Sequence, residues 1–118
     1  MRWPLCRVAV AERSMEPALG PGDWLVVWRG TRRGRPPRVR PGQVVIARHP
    51  GRADFLLVKR AVREADGRWW LESDNRDAPA VDSRSFGAIP GELICGRVLL
   101  RYHRGRAAAA PGDQGRAR

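Results

Sequence analysis

The sequence predicts a mostly β protein, a single domain of about six or seven short strands with little or no helix. Three observations carry this expectation. The apolar runs are short and rich in β-branched and aromatic residues, as in Trp24-Leu25-Val26-Val27-Trp28 and Val44-Val45-Ile46. Turn residues interrupt them at close intervals, with 13 Gly and 10 Pro in 118 residues. No stretch keeps apolar residues at the 3.6-residue period long enough to form an amphipathic helix. A chain of this length builds one core rather than two.

Taken in order, Leu5 to Val10 reads as a strand leading into a turn at Ser14. Pro17, Gly20, Pro21 and Gly22 exclude a regular helix through that turn. Trp24 to Trp28 is apolar on both faces and predicts a strand covered on two sides. Arg29 to Pro41 interleaves Arg32, Arg33, Arg35, Arg38 and Arg40 with Pro36 and Pro37, which predicts a solvated, mobile loop. Gly42 to His49 is the next strand, closed by Pro50-Gly51, and Arg52-Ala53-Asp54 reads as a turn.

Phe55 to Glu64 predicts a long strand. Its period of two puts Phe55, Leu57, Lys59 and Ala61 on one face and Leu56, Val58, Arg60 and Val62 on the other. Asp66-Gly67 is a hairpin signal, and Arg68 to Glu72 returns as the partner. Ser73 to Gly87 is polar and irregular. Ile89-Pro90-Gly91 leads a last strand, Glu92 to Tyr102, with Ile94, Val98, Leu100 and Tyr102 on one face. The domain therefore spans residues 1–103. From Arg104 the chain is largely Arg, Ala, Gly and Pro without core residues, which predicts a disordered tail over 104–118.

The net charge of +11 invites a nucleic-acid reading, since a basic surface attracts phosphate without sequence specificity. The arginines are scattered, however, and no dense basic helix or reader motif is present, so no specific nucleic-acid partner is expected. A non-enzymatic basic β module would bind nucleic acid or an anionic membrane through Trp3, Trp24, Trp28, Trp69 and Trp70. Core packing is the simpler account of the tryptophans embedded in strands. Cys6 and Cys95 make no metal-ligand spacing and read as buried thiols, with a disulfide between them left open. No metal or other cofactor is expected. No segment approaches the roughly 18 consecutive apolar residues of a transmembrane anchor. Met1 to Glu12 lacks the pattern of a signal peptide. A cytoplasmic location follows, with room only for weak contact with a membrane surface.

Two residues stand out chemically. Ser14 sits on a rigid turn between two apolar strands, where a hydroxyl is held firmly yet exposed. Lys59 is the only lysine among 23 basic residues. Arginine stays protonated in proteins, whereas a buried lysine loses its proton and serves as a base. A serine hydroxyl needs such a base within reach. His49 precedes Pro50 at a strand end and His103 abuts the tail, so neither is sheltered. The candidate pair is Ser14 as nucleophile and Lys59 as base, one of the convergent variants of the serine triad. Apolar neighbours on its strand face, with Arg60 as a nearby like charge, would favour the neutral lysine.

Three stretches, in order, resemble the boxes of the type I signal peptidases. Ser14-Met15-Glu16-Pro17 with Leu19 and Gly22-Asp23 is similar to the nucleophile box, S-M-x-P-x-L-x-x-G-D. Val58-Lys59-Arg60 with Val62 resembles the general-base box. Ser73-Asp74-Asn75, then Asp82-Ser83-Arg84 and Gly87, resembles the third box, G-D-N … D-S-R … G. The resemblance implies a signal-peptidase-like β domain and a serine endopeptidase that forms an acyl-enzyme on Ser14, with Lys59 as base. It further implies that the Ser14 backbone N–H serves the oxyanion hole, that Met15 and Pro17 shape the turn and groove, that Asp74 and Asn75 belong to the supporting third box, and that Asp82, Ser83 and Arg84 brace the site, the Asp82–Arg84 pair as a structural ion pair.

The sequence departs from the pattern in three places. Glu12-Arg13 precedes the nucleophile where Ser or Gly-Ser is usual, Ser73 replaces Gly, and Ala80-Val81 stands where a serine touching the lysine is often found. Without an anchor, the chain looks most like the soluble maturation proteases of nickel-type superoxide dismutase. That implies a precursor polypeptide as partner, from which an N-terminal extension is removed. Two alternatives within the dyad enzymes are a signal peptidase acting on secreted precursors and a self-cleaving repressor domain. The latter would carry a helix-turn-helix and an internal cleavage site, and neither is visible.

Overall fold

The computed structural model describes residues 4–30, 37–79, 81–103 and 113–118, and it is mostly β. Eight strands form one sheet: β1 (Leu5–Val10), β2 (Asp23–Trp28), β3 (Val44–His49), β4 (Arg52–Ala65), β5 (Arg68–Glu72), β6 (Ile89–Pro90), β7 (Ile94–His103) and β8 (Asp113–Ala117). Their order is β6-β5-β4-β3-β7-β2-β1-β8. All neighbours are antiparallel except β8, which runs parallel to β1. A four-residue helix, α1 (Ser83–Phe86), and a short 3-10 turn (Gly91–Leu93) are the helical elements among the described residues.

The long strand β4 organises this sheet. Val44↔Arg60 and Leu56↔Arg48 mark its pairing with β3, and Arg60↔Glu72 through Ala65↔Arg68 its pairing with β5. The hairpin at Asp66-Gly67 has positive φ at both residues, which only a short list of residue types tolerates. Apolar side chains divide into two clusters. One joins Val8, Val10, Met15, Leu19, Leu25, Val27, Ile46 and Val58. The other joins Val45, Ala47, Ala61, Trp69, Leu71, Ile89 and Ile94. Val58 and Ala61 lie in different clusters, and Lys59, between them in the chain, is buried.

Strand β7 runs beside β2 in the sheet, and the two approach closely at Gly96. A Cβ added at Gly96 would lie 2.2 Å from Val27 Cγ1 and 3.2 Å from the Trp28 carbonyl, so glycine is required by the close approach. Further along, Val26 pairs with Leu100 but Val27 with Val98, a bulge that leaves Leu99 as the extra residue. The bulge corrects the simple alternation read from sequence. Ile94 is buried and Val98 packs on the core, whereas Leu100 is 52% exposed and Leu99 47%.

The C-terminal end also differs from expectation. Residues 104–112 of the predicted tail lie outside the described residues, as do 31–36 of the predicted Arg- and Pro-rich loop. Asp113–Ala117, however, forms β8 rather than a disordered tail. The Ala11 N–H donates to the Ala117 carbonyl at 2.9 Å, while Arg118 N–H donates to the Leu56 carbonyl at 3.0 Å. Strand β8 thus extends the sheet beside β1, and the Arg118 backbone that follows it bonds to Leu56 and Val58 of β4. Composition failed to reveal this because backbone pairing, unlike core packing, asks nothing of the side chains.

Candidate active site

The turn after β1 is built from its own backbone. Glu16 N–H donates to the Arg13 carbonyl at 3.1 Å and Leu19 N–H to the Met15 carbonyl at 2.9 Å. Asp23 closes it, its carboxylate accepting from the Gly20 N–H at 2.9 Å, and Gly22 occupies the left-handed region with φ of 93°. The Glu16–Pro17 peptide is cis. Met15 is fully buried in the first cluster and fixes the turn against the core. Ser14 is therefore held rigidly, but it is not exposed as the sequence suggested: it is 7% accessible, recessed in a cavity wall.

The third stretch braces this turn from across the site. Asn75 N–H donates to the Ser14 carbonyl at 2.8 Å, and its side-chain amide donates to the Arg13 carbonyl at 2.9 Å. Asp74 N–H points at Met15 Sδ, 3.4 Å away. The Asp74 carboxylate meanwhile receives Arg60 through both Nε, 3.1 Å, and Nη2, 2.6 Å. That bidentate pair ties the strand residue next to Lys59 to the segment that holds Ser14.

Asp82 caps α1 and is fully buried. It accepts from the backbone N–H groups of Ser73, 2.8 Å, and Arg84, 2.9 Å, and forms an ion pair with the Arg84 guanidinium at 3.0 Å. Burial alone would raise this carboxyl, but the hydrogen bonds from Arg84 and Ser73 hold it below the usual carboxylate range. Ser83 accepts from the Leu71 N–H at 2.8 Å, fixing α1 on β5.

Ser14 and Lys59 face one cavity of about 480 Å³, lined also by Glu12, Glu16, Phe55, Asn75, Val81 and Arg118. Lys59 is 1% accessible. Burial lowers its pKa from 10.5 to about 8, opposed by the charges of Asp82 and Glu12 and assisted by that of Arg84. The like charge that matters is therefore Arg84 and not Arg60, whose guanidinium is committed to Asp74. Ser14 Oγ is buried without a hydrogen-bond partner among the described residues, so it makes no hydrogen bond to Lys59 here. Hydrogen bonds between nucleophile and base are often loose before substrate arrives.

His49 and the two cysteines, which the sequence leaves out of the candidate site, have structural surroundings. His49 lies edge-on to Phe55 and Phe86 and accepts the Gly51 N–H at Nδ1. Cys6 and Cys95 are free thiols, both raised above the ordinary value chiefly by burial. Two residues at the cavity escaped sequence reasoning. From sequence Phe55 reads only as strand packing and Arg118 as part of the tail. Arg118 pairs with Glu12 at 3.1 Å and lies over the Phe55 ring at 5.2 Å. The unusual Glu12 was its only signal.

A stretch of 45 residues is 49% identical to the mitochondrial inner membrane protease subunit 1 of Xenopus tropicalis. It covers 38% of this chain and 26% of that protein, so the match spans about a quarter of the relative's length. The peptidase S24-like pattern matches residues 4–98, a span that takes in the Ser14 turn, Lys59 and the Asp82–Arg84 pair. With most of its length so matched, the chain belongs to the peptidase S24-like family.

Proposed function

We propose that this protein is a serine endopeptidase that processes precursor polypeptides with a Ser14–Lys59 dyad. The observation that carries the reading is a buried, unpartnered serine hydroxyl on the same cavity as a desolvated lysine, in a member of a peptidase family. Neutral Lys59 accepts the Ser14 proton as Oγ attacks the scissile carbonyl. The Ser14 N–H supports the developing oxyanion, an interaction whose loss typically costs about 2.7–4 kcal/mol. The lysine proton passes to the leaving amine and yields an acyl-enzyme. Lys59, neutral again, then activates a water that releases the new C-terminus and restores Ser14.

The Asn75 contacts to residues 13 and 14 keep the nucleophile turn from swinging. The Asp82–Arg84 pair fixes the electrostatic surroundings of Lys59 without taking a proton. The sequence resemblance nominates a nickel-type superoxide dismutase precursor as the substrate. Unpaired Cys6 and Cys95 suit the cytoplasm, where we place this reaction. The named relative, a membrane protease subunit, favours a second reading in which secreted or membrane-delivered precursors are cut. Co-expression with each precursor, followed by mass spectrometry of the new N-terminus, separates the two. Ser14→Ala and Lys59→Ala should each abolish processing, and survival of cleavage in either variant would sink the dyad.

A further inference from the structure

Strand β5 ends at Glu72, which pairs with Arg60 of β4. One step further along the same two segments lie Ser73 and Lys59. The register carries through that step, because the Arg60 guanidinium holds the carboxylate of Asp74, its diagonal neighbour beyond Glu72. The Trp70 indole N–H donates to Glu72, so Trp70, Glu72, Asp74 and Arg60 share one face. Leu71 and Ala61 pair on the opposite face, both buried in the second cluster, and Ser73 and Lys59 follow them there. Side chains directly opposite in an antiparallel pair have Cβ atoms about 4.5–5.5 Å apart. Ser73 is thus the neighbour of Lys59 on the buried face.

Ser73 is 2% accessible, and its Oγ has no hydrogen-bond partner among the described residues. A buried hydroxyl left unpaired destabilises the fold, whereas an alanine there would leave no polar group to satisfy. Packing alone gives no reason for the oxygen. The Ser73 N–H donates to Asp82 at 2.8 Å, and the charge of Asp82 acts on Lys59. Both carboxylate oxygens of Asp82 are already engaged, by the Arg84 backbone and guanidinium and by the Ser73 N–H. The Ser73 hydroxyl is an uncommitted acceptor beside the lysine. It does not line the cavity that Ser14 and Lys59 share, so substrate in that cavity does not reach it.

We propose that Ser73 is the positioning residue for Lys59, its Oγ accepting a hydrogen bond from the lysine nitrogen and aiming that nitrogen at Ser14. This rests on the endopeptidase reading above. A lysine tip is a point charge on a flexible four-carbon stem, and without a fixed acceptor its direction is unset. Oγ accepts from the ammonium formed when Ser14 gives up its proton, and holds it where the leaving amine collects that proton. A bond to the charged form is the stronger one, so Ser73 favours protonated Lys59 and its removal lowers the pH at which the lysine titrates. Asp82, Glu12 and Arg84, the charges that act on Lys59, stay in place when only the hydroxyl is removed.

Lys59 is the only lysine in the chain, so protein made with isotope-labelled lysine gives one side-chain NMR resonance, whose titration reports this group without reference to activity. The test compares the parent with Ser73→Ala, which removes the oxygen, and Ser73→Thr, which keeps it. On folded protein, kcat and KM for a precursor peptide are read near about pH 9.5, where a largely neutral lysine keeps titration out of the rate. For Ser73→Ala the expected result is kcat lower by about tenfold, KM within about twofold, and lysine titration lower by about half a pH unit or more. Ser73→Thr should stay close to the parent in all three. Parent-like kcat and lysine titration in Ser73→Ala overturn the positioning role and leave the peptidase reading intact. A titration that moves alike in Ser73→Ala and Ser73→Thr also overturns it, because the oxygen is then not the cause. Cleavage absent throughout, with lysine titration moved in Ser73→Ala alone, overturns the peptidase reading and keeps the Ser73–Lys59 contact.

Discussion

The pH dependence of cleavage is the most exacting test of Lys59 as a base. Burial brings its pKa to about 8, so the neutral fraction is set by pH in an accessible range. A group with that value is about 1% neutral at pH 6, about 10% at pH 7, half at pH 8 and about 90% at pH 9. The value of kcat/KM for a precursor peptide should rise about tenfold from pH 6 to 7 and less than twofold from pH 8 to 9. The assay is a stopped time course by mass spectrometry across pH 6 to 9.5, on protein shown to be folded at each pH. The neighbouring charges supply an internal control with opposite signs. Asp82 raises the lysine, so Asp82→Asn should move the inflection to lower pH. Arg84 lowers it, so Arg84→Gln should move the inflection to higher pH. A flat profile, an inflection in the imidazole range, or one unmoved by either substitution would refute Lys59 as the titrating base.

Further consequences concern stability. Because folding lowers the Lys59 pKa from 10.5 to about 8, the unfolded chain binds more protons between those values, and stability should rise with pH through that window. At about 1.4 kcal/mol per pH unit, the protonated lysine costs the folded state about 3 kcal/mol at pH 7. Lys59→Met should remove most of this cost, so urea denaturation should show it more stable than the parent at pH 7 and little different above pH 10.5; an equal gain at both pH values would rule the argument out. Gly96→Ala forces a methyl into Val27 and should cost about 1–3 kcal/mol in the same assay, with no loss if β7 can shift freely. Asp82→Ala uncaps α1 and strands the buried Ser73 N–H, for a loss of about 2 kcal/mol. Asn75→Ala removes the side-chain amide from the Arg13 carbonyl, keeps the backbone bond to the Ser14 carbonyl, and should lower kcat more than it raises KM; a pure KM effect would place Asn75 in substrate binding instead.

Why the placing of Ser14 and Lys59 on one cavity was legible while their surroundings were not follows from where each constraint resides. The Ser14 turn is local: Pro17, Gly20, Gly22 and Asp23 encode it within a few residues, and the resulting hydrogen bonds are local too. Lys59 is encoded by contrast, a titratable cation in a strand where every other basic residue is arginine. The strands were legible for the same reason, since period, propensity and turn residues agree. What escaped was non-local. The Arg60–Asp74 pair and the Arg84 charge near Lys59 depend on which side of β4 the third stretch folds over, and that is fixed by the β4–β5 register rather than by either segment. The Leu99 bulge is a mismatch between two strands and has no signature in one of them.

The C-terminal segment is the instructive case, a strand without the side-chain pattern of one. Residues without apolar periodicity cannot found a core. Yet a segment needs no core of its own when two neighbouring strands offer unpaired backbone edges, as β1 and β4 do on either side of residues 113–118. What hid β8 from sequence reasoning is that its place is set by backbone pairing with β1 and with Leu56 and Val58 of β4, which leaves no side-chain signature.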